Sequence, residues 1–251
     1  MKLDTLRLYK GLYVRKDRHD DRCMVKECQS VYKHFNFSKG DVVLDFGVNV
    51  GGFASMALAS PIKKYIGIEA DPENFKIAQF NIDRLNPYKT DTLLLKGAAS
   101  ASLNKTLMFY QTESGNAKCS GTIAVNSRNK HLRKVSYSVK NFNIDELIKK
   151  HRPNRIKMDI EGAEYDWFAQ NKGIMPSFIK EIAFDLHKMK SIQMFEKEYL
   201  SNFLKDFDII NVCANTAYET NKKMKWKLPV FGIKGYGMVF ALDVFFRRKT
   251  K

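Results

Sequence analysis

Val42-Val43-Leu44-Asp45-Phe46-Gly47-Val48-Asn49-Val50-Gly51-Gly52 decides how the rest of the chain is read. A short, unbroken apolar run suits a strand buried on both faces of a sheet. The glycines after it let the backbone turn sharply into a helix over residues 53–58 and come close to a ligand. Outward from this unit, Tyr65-Ile66-Gly67-Ile68-Glu69 predicts a second buried strand and Leu93-Leu94-Leu95 a third. Between them a helix is expected from Pro72 to Leu85, with Asp71 as its cap and Pro72 in its first turn. In the other direction Val25, Cys28, Val31, Tyr32 and Phe35 recur at helical spacing, so residues 1–40 read as a helical extension.

The alternation resumes further along. Residues 144–150, 163–170 and 193–205 carry helical patterns, and residues 155–159 and 179–186 read as strands. Strands at 207–212 and 238–246 have no convincing helix between them, which predicts an antiparallel terminal hairpin. The fold class is therefore α/β, a mostly parallel sheet with helices on both faces. Thr112–Asn129 and Lys222–Gly237 lack an apolar period and read as long loops, which in compact domains are commonly functional. No composition shift marks a boundary, so residues 1–251 read as one domain, with the extension at 1–40 and the ligand-binding fold at 41–251.

Chemistry concentrates at the predicted strand ends. Asp45 and the glycine turn open a ligand site, and Asn49 stands where a middle glycine is usual, since Asn tolerates left-handed geometry. Glu69 follows Gly51 by 18 residues, near the separation at which an acid reaches ribose hydroxyls in nucleotide-binding folds. An acid at the start of the loop suits an ammonium group better than a pyrophosphate, which favours S-adenosylmethionine (SAM) over a dinucleotide. In Lys157-Met158-Asp159-Ile160-Glu161-Gly162-Ala163-Glu164, Asp159 ends a strand and should face the crevice beyond it. In Glu181-Ile182-Ala183-Phe184-Asp185-Leu186-His187, the residues Glu181, Ala183, Asp185 and His187 share one face, and His187 reaches the strand's carboxyl end.

These three segments in order, with Gly67-Ile68-Glu69-Ala70-Asp71-Pro72-Glu73-Asn74-Phe75, Asn81 and Asn86, resemble the FkbM family of SAM-dependent methyltransferases over residues 42–187. The resemblance implies a Rossmann-like class I methyltransferase fold, a mostly parallel seven-stranded sheet with an antiparallel terminal strand. It also implies methyl transfer, chiefly to oxygen, on sugars of glycans or glycoconjugates. By that likeness Asp45, Gly47, Asn49 and Gly51 cradle the methionine part of SAM, Glu69 holds its ribose and Ala98 lies near the adenine. Asp159, Glu161 and His187 are the candidates for removing the acceptor's proton. Neighbouring carboxylates could instead hold a divalent cation, but a metal-free His or Asp base is preferred and no metal ligand is assigned.

The net charge of +16 suits an anionic acceptor and raises the rival of an RNA ribose 2′-O-methyltransferase, with Lys157 or Lys188 in an activating role. A binding module without catalysis is the remaining alternative. Four cysteines without a C-x-x-C pair point to free thiols and a cytoplasmic setting. The N-terminus has no apolar signal region, and no stretch approaches the roughly 20 apolar residues of a membrane span.

Overall fold

The computed structural model describes residues 3–112, 133–187, 189–217, 225–228, 231, 233–236 and 238–250. In chain order these form β1 (Leu6–Tyr9), β2 (Leu12–Arg15), α1 (His19–Val31), β3 (Val42–Phe46), α2 (Gly52–Ala57), β4 (Lys64–Glu69), α3 (Pro72–Arg84) and β5 (Asp91–Lys96). Then follow β6 (Ala98–Ser100), β7 (Thr106–Thr112), β8 (Arg133–Asn143), α4 (Ile144–His151), β9 (Arg155–Met158), α5 (Glu164–Asn171) and β10 (Glu181–His187). The last elements are α6 (Met189–Glu198), α7 (Leu200–Asp206), β11 (Phe207–Ala217), β12 (Lys225–Leu228), β13 (Ile233–Tyr236) and β14 (Met238–Arg248).

Seven strands make the central sheet, in the order β11-β14-β10-β9-β3-β4-β5. All run parallel except β14, which is antiparallel to both β10 and β11. The expected Rossmann-like sheet with an antiparallel terminal strand is the one observed. The chain builds outward from β3 through β4 to β5, then returns to β3's other side with β9. Beyond the carboxyl ends of β3 and β9 the connections part, and such a point is where open α/β sheets take their ligands.

The two faces of the sheet differ in chemistry. Leu44, Phe46, Ile66, Ile68, Ile156, Met158, Ile182, Phe184, Leu242 and Val244 belong to a wholly apolar core with residues of α4, α5, α6 and α7. The other face, covered by α1 and α2, carries apolar residues such as Val43, Tyr65 and Phe245. Between them it also holds charged residues in register, Asp45 beside Lys157 and Asp185 beside Asp243. At the amino ends of the strands Arg155 meets Glu181 at 2.9 Å and Asp41 at 3.4 Å, and Glu181 also accepts from Arg247 at 2.6 Å. Arg155, Asp41 and Glu181 are all buried.

The amino-terminal segment is not helical throughout, as its sequence suggested. β1 and β2 form a hairpin whose two-residue loop, Lys10-Gly11, has φ of 48° and 84°. Positive φ at both loop positions matches the twist of the strands, and Gly11 takes it without strain. The helical part begins at His19, with Val25, Cys28, Tyr32 and Phe35 buried as expected. The hairpin is tied down by Asn81 of α3, whose side chain accepts from Tyr13 N (2.8 Å) and donates to Tyr13 O and Val50 O (both 2.9 Å). Replacing Asn81 with alanine strands three backbone groups around a fully buried position. We expect Asn81→Ala to lower stability by about 2–3 kcal/mol, measured by urea unfolding.

Three other expectations change. The single helix over 193–205 starts earlier and breaks at Tyr199 into α6 and α7, which lets Phe195, Leu200 and Phe203 all enter the core. The irregular middle holds a second sheet, β6-β8-β7, with β7 and β8 antiparallel. Of the Thr112–Asn129 loop, residues 113–129 lie outside the described residues, as do Cys119 and Lys188. The Lys222–Gly237 segment contains the short antiparallel pair β12 and β13. Among the described residues no helix is long and apolar enough to cross a membrane.

Candidate functional site

The turn after β3 is held from three sides. Gly47 N and Val48 N donate to Ile68 O at 3.0 and 3.2 Å, and Asp159 N donates to Phe46 O at 3.1 Å. Gly47 has φ +83°, and a Cβ there would lie 2.0 Å from Asp159 O, so the two strand ends meet only because this residue has no side chain. Asn49 takes the left-handed conformation expected of it, with φ 55°, and its side chain accepts from Val50 N at 2.7 Å. Asn49 N donates at 2.7 Å to one oxygen of Glu69, and Asp71 N donates at 2.8 Å to the other. Burial pushes the Glu69 carboxyl up to about 8, while these two amides pull against it.

Around this turn lies an open cavity of about 650 Å³. Gly47, Asn49, Glu69, Ala98, Asp159 and Glu161 line it, so six of the residues singled out from sequence meet at one place. Met24 of α1, Asn74 of α3 and Phe109 of β7 complete the wall. Met24 and Phe109 come from segments whose sequence carries no ligand motif, and only α1 and the second sheet bring them in.

Asp45 and Gly51 sit elsewhere. Asp45 is wholly buried beneath the turn, where it accepts from Tyr65 Oη at 2.6 Å and lies 3.3 Å from the Lys157 ammonium. It therefore supports the loop from below instead of lining the cavity to meet an amino group. Its place on a strand buried on both faces is the reason. Gly51, with φ +96°, caps α2 and likewise shapes the turn without forming the wall.

Lys157 is the hub of this support. It is 2 % exposed, contacts Asp45 and Asp159 at 3.3 and 3.6 Å, and donates to Phe46 O and Gly47 O. Burial disfavours its charge, but the two carboxylates outweigh that and hold the ammonium above its ordinary range. So enclosed, it has no path to an acceptor, and the activating role weighed for it in an RNA enzyme does not fit this position.

Beyond Asp159 the strand ends gather acids. Glu161 and Gly162 both have positive φ, 57° and 104°, which turns the chain back into α5. His187 Nε2 lies 3.5 Å from Glu161, which lines the cavity, and 3.5 Å from Asp185. Asp243 of β14 stands beside Asp185, and Glu164, fully buried, accepts from Ile160 N at 2.7 Å. Burial raises Glu161 to about 8, Asp185 to about 7 and Asp243 to about 9, with Asp159 adding to the last two by repulsion. Burial pulls the His187 ring down, yet Asp185, Glu161, Glu164 and Asp159 lift it to about 10. Asp243 was missed in the sequence, although an acid inside the apolar run Phe240–Phe246 is itself a sign of a buried charge.

Residues 45–211 match the family model of the methyltransferase FkbM domain, about two thirds of the chain. The chain belongs to the FkbM methyltransferase family. No curated protein sequence matches it significantly. Among solved structures this FkbM chain is similar to Trm5b from Pyrococcus abyssi, with a TM-score of 0.50 and 11 % identity. It resembles the M. jannaschii tRNA m1G37 methyltransferase (TM-score 0.48, 14 % identity) and precorrin-6y C5,15-methyltransferase from Geobacter metallireducens (0.45, 10 %). Each alignment covers 98 % of the FkbM chain, but 56 %, 58 % and 95 % of the respective structure. At 11 % identity the likeness to Trm5b speaks for the fold alone.

Proposed function

We propose that this FkbM protein transfers a methyl group from SAM to a hydroxyl of a sugar, in a glycan or glycoconjugate. The observation that carries the reading is the cavity, where Glu69 stands at one side and Asp159 and Glu161 at the other. A nucleoside bearing two ribose hydroxyls fits the first, since a carboxylate held by two amides keeps lone pairs for two more donors. Ala98, Ile68, Phe109 and Met24 supply apolar wall suited to a base. When bound, SAM supplies an electrophilic methyl on a sulfonium. The chain's own task is then to align an acceptor oxygen in line and take its proton. Asp159 and Glu161 reach the cavity for that step, with His187 behind Glu161 as an orienting group. Gly47 and Asn49 shape the donor side of the wall.

The acceptor is proposed from the family's habit and from the +16 charge, which favours an anionic glycoconjugate. The same charge keeps RNA as a second reading. The free thiols Cys23, Cys28 and Cys213 support a reducing, cytoplasmic setting.

The test is methyl transfer from labelled SAM to panels of sugar and RNA acceptors. We expect labelled sugar with modest salt dependence. Labelled RNA whose yield falls steeply with salt would replace this reading with the second. In the same assay Glu69→Ala is expected to weaken SAM and S-adenosylhomocysteine binding by at least about 30-fold, as befits the loss of charge-assisted bonds worth about 2 kcal/mol. Unchanged affinity in that variant would dismiss Glu69 as the ribose ligand.

A further inference from the structure

We propose that Asp159, Asp185 and His187 form a site for one divalent cation at the acceptor end of the cavity. One ligand atom from each lies within 4.8 Å of the others. Adjacent ligands of an ion with bonds of about 2.1 Å are about 3.0–3.4 Å apart, so the three side chains must draw in by roughly an ångström to share one centre. Two carboxylates and an imidazole suit an ion such as Mn²⁺ or Zn²⁺.

A second observation, independent of the clustering, points to a missing partner. Asp185 is 9 % exposed, and its Oδ1 has no hydrogen-bond partner. His187 Nδ1 and Glu164 Oε2 are buried and unpartnered in the same way, Glu164 on a residue with no exposure at all. Buried polar atoms are nearly always paired, and orphans on Asp185 and His187, two members of the cluster, mark a place that can take another group.

Charge counting gives the sign of that group. Asp159, Glu161, Glu164, Asp185 and Asp243 face it from the loop after β9 and from α5, β10 and β14, and the cationic side chains among them are Lys157 and His187. Lys157 is already shared with Asp45. A divalent ion suits this excess of carboxyl groups over cationic side chains.

The site has a direction. Asp159 lines the cavity, so an ion held by all three lies at the edge of the cavity that Asp159 forms. There it would bind an acceptor oxygen and make its proton easier to remove. That role in transfer rests on the hydroxyl-methylating reading above, whereas binding of the ion does not.

The experiment strips the full-length protein with a chelator and titrates it with Mn²⁺ by electron paramagnetic resonance, and with Zn²⁺ by calorimetry. One saturable site per chain is expected for at least one of the two ions. Asp185→Asn and His187→Gln should each weaken it at least ten-fold while S-adenosylhomocysteine binding persists, which also shows that the variants are folded. No saturable binding of either ion would overturn the proposal, and so would equal affinity in both variants. Failure of the ion to bind with S-adenosylhomocysteine binding intact refutes the cation alone. Failure of wild type to bind S-adenosylhomocysteine refutes the donor site instead.

Discussion

Gly47→Ala is expected to destabilise the protein severely and to abolish S-adenosylhomocysteine binding. Two costs add at this position. An alanine at φ +83° carries roughly 1–2 kcal/mol of left-handed strain. Its methyl would also lie 2.0 Å from Asp159 O, a backbone atom that cannot rotate away, so the ends of β3 and β9 must separate. Overpacking in a tight core adds about 1–3 kcal/mol. Separation would also break the Asp159 N to Phe46 O bond and tilt Gly47 and Asp159, both on the cavity wall. We expect a loss of about 2–5 kcal/mol in urea unfolding. Any soluble fraction should have lost measurable S-adenosylhomocysteine binding. A variant with wild-type stability and affinity would show that the two strand ends can part without consequence.

Lys157→Met should cost about 3–5 kcal/mol, because it leaves a buried charge without its counter-ion. Methionine keeps most of the volume, so the loss reports charge and hydrogen bonding more than packing. Asp45 is completely buried and would keep only the Tyr65 hydroxyl, while Phe46 O and Gly47 O would lose their donor. The second variant separates a charge effect from general damage. Lys157→Met with Asp45→Asn should recover part of the loss, since the amide needs no counter-ion, and the coupling between the two sites should exceed about 1 kcal/mol. Additive losses in that cycle would mean that the pair does not act as an ion pair. Because Asp159 also leans on Lys157, the double variant is still expected to bind S-adenosylhomocysteine better than it transfers a methyl group.

Much of this was readable in the chain, and the exceptions share a cause. Apolar runs fixed β3, β4, β9 and β10, because a strand buried on both faces must be apolar nearly throughout. The same property hid the role of Asp45. A run that is buried on both sides does not say whether its one acid points up toward a ligand or down into the core. Glu69 and Asp159 were legible because they end their strands, where the side chain must meet the crevice. Met24 and Phe109 were not, since they reach the cavity through α1 and the β6-β8-β7 sheet, contacts with no local signature. Lys10-Gly11 carries a hairpin signal of its own, and the helical period of the residues after it begins only at His19.

The ion pairs at the amino ends of the strands, far from the cavity, have a consequence for the chemistry. Arg155, Glu181 and Arg247 lie opposite one another on β9, β10 and β14, and each pairing fits only one alignment of those strands. Sliding β10 by a single residue would turn Glu181 into the apolar layer, and would carry Asp185 and His187 to the wrong side with it. The Arg155–Glu181–Arg247 chain thus works as a gauge, set at one end of the sheet and read at the other. It determines which acids arrive together where the methyl group is handed over.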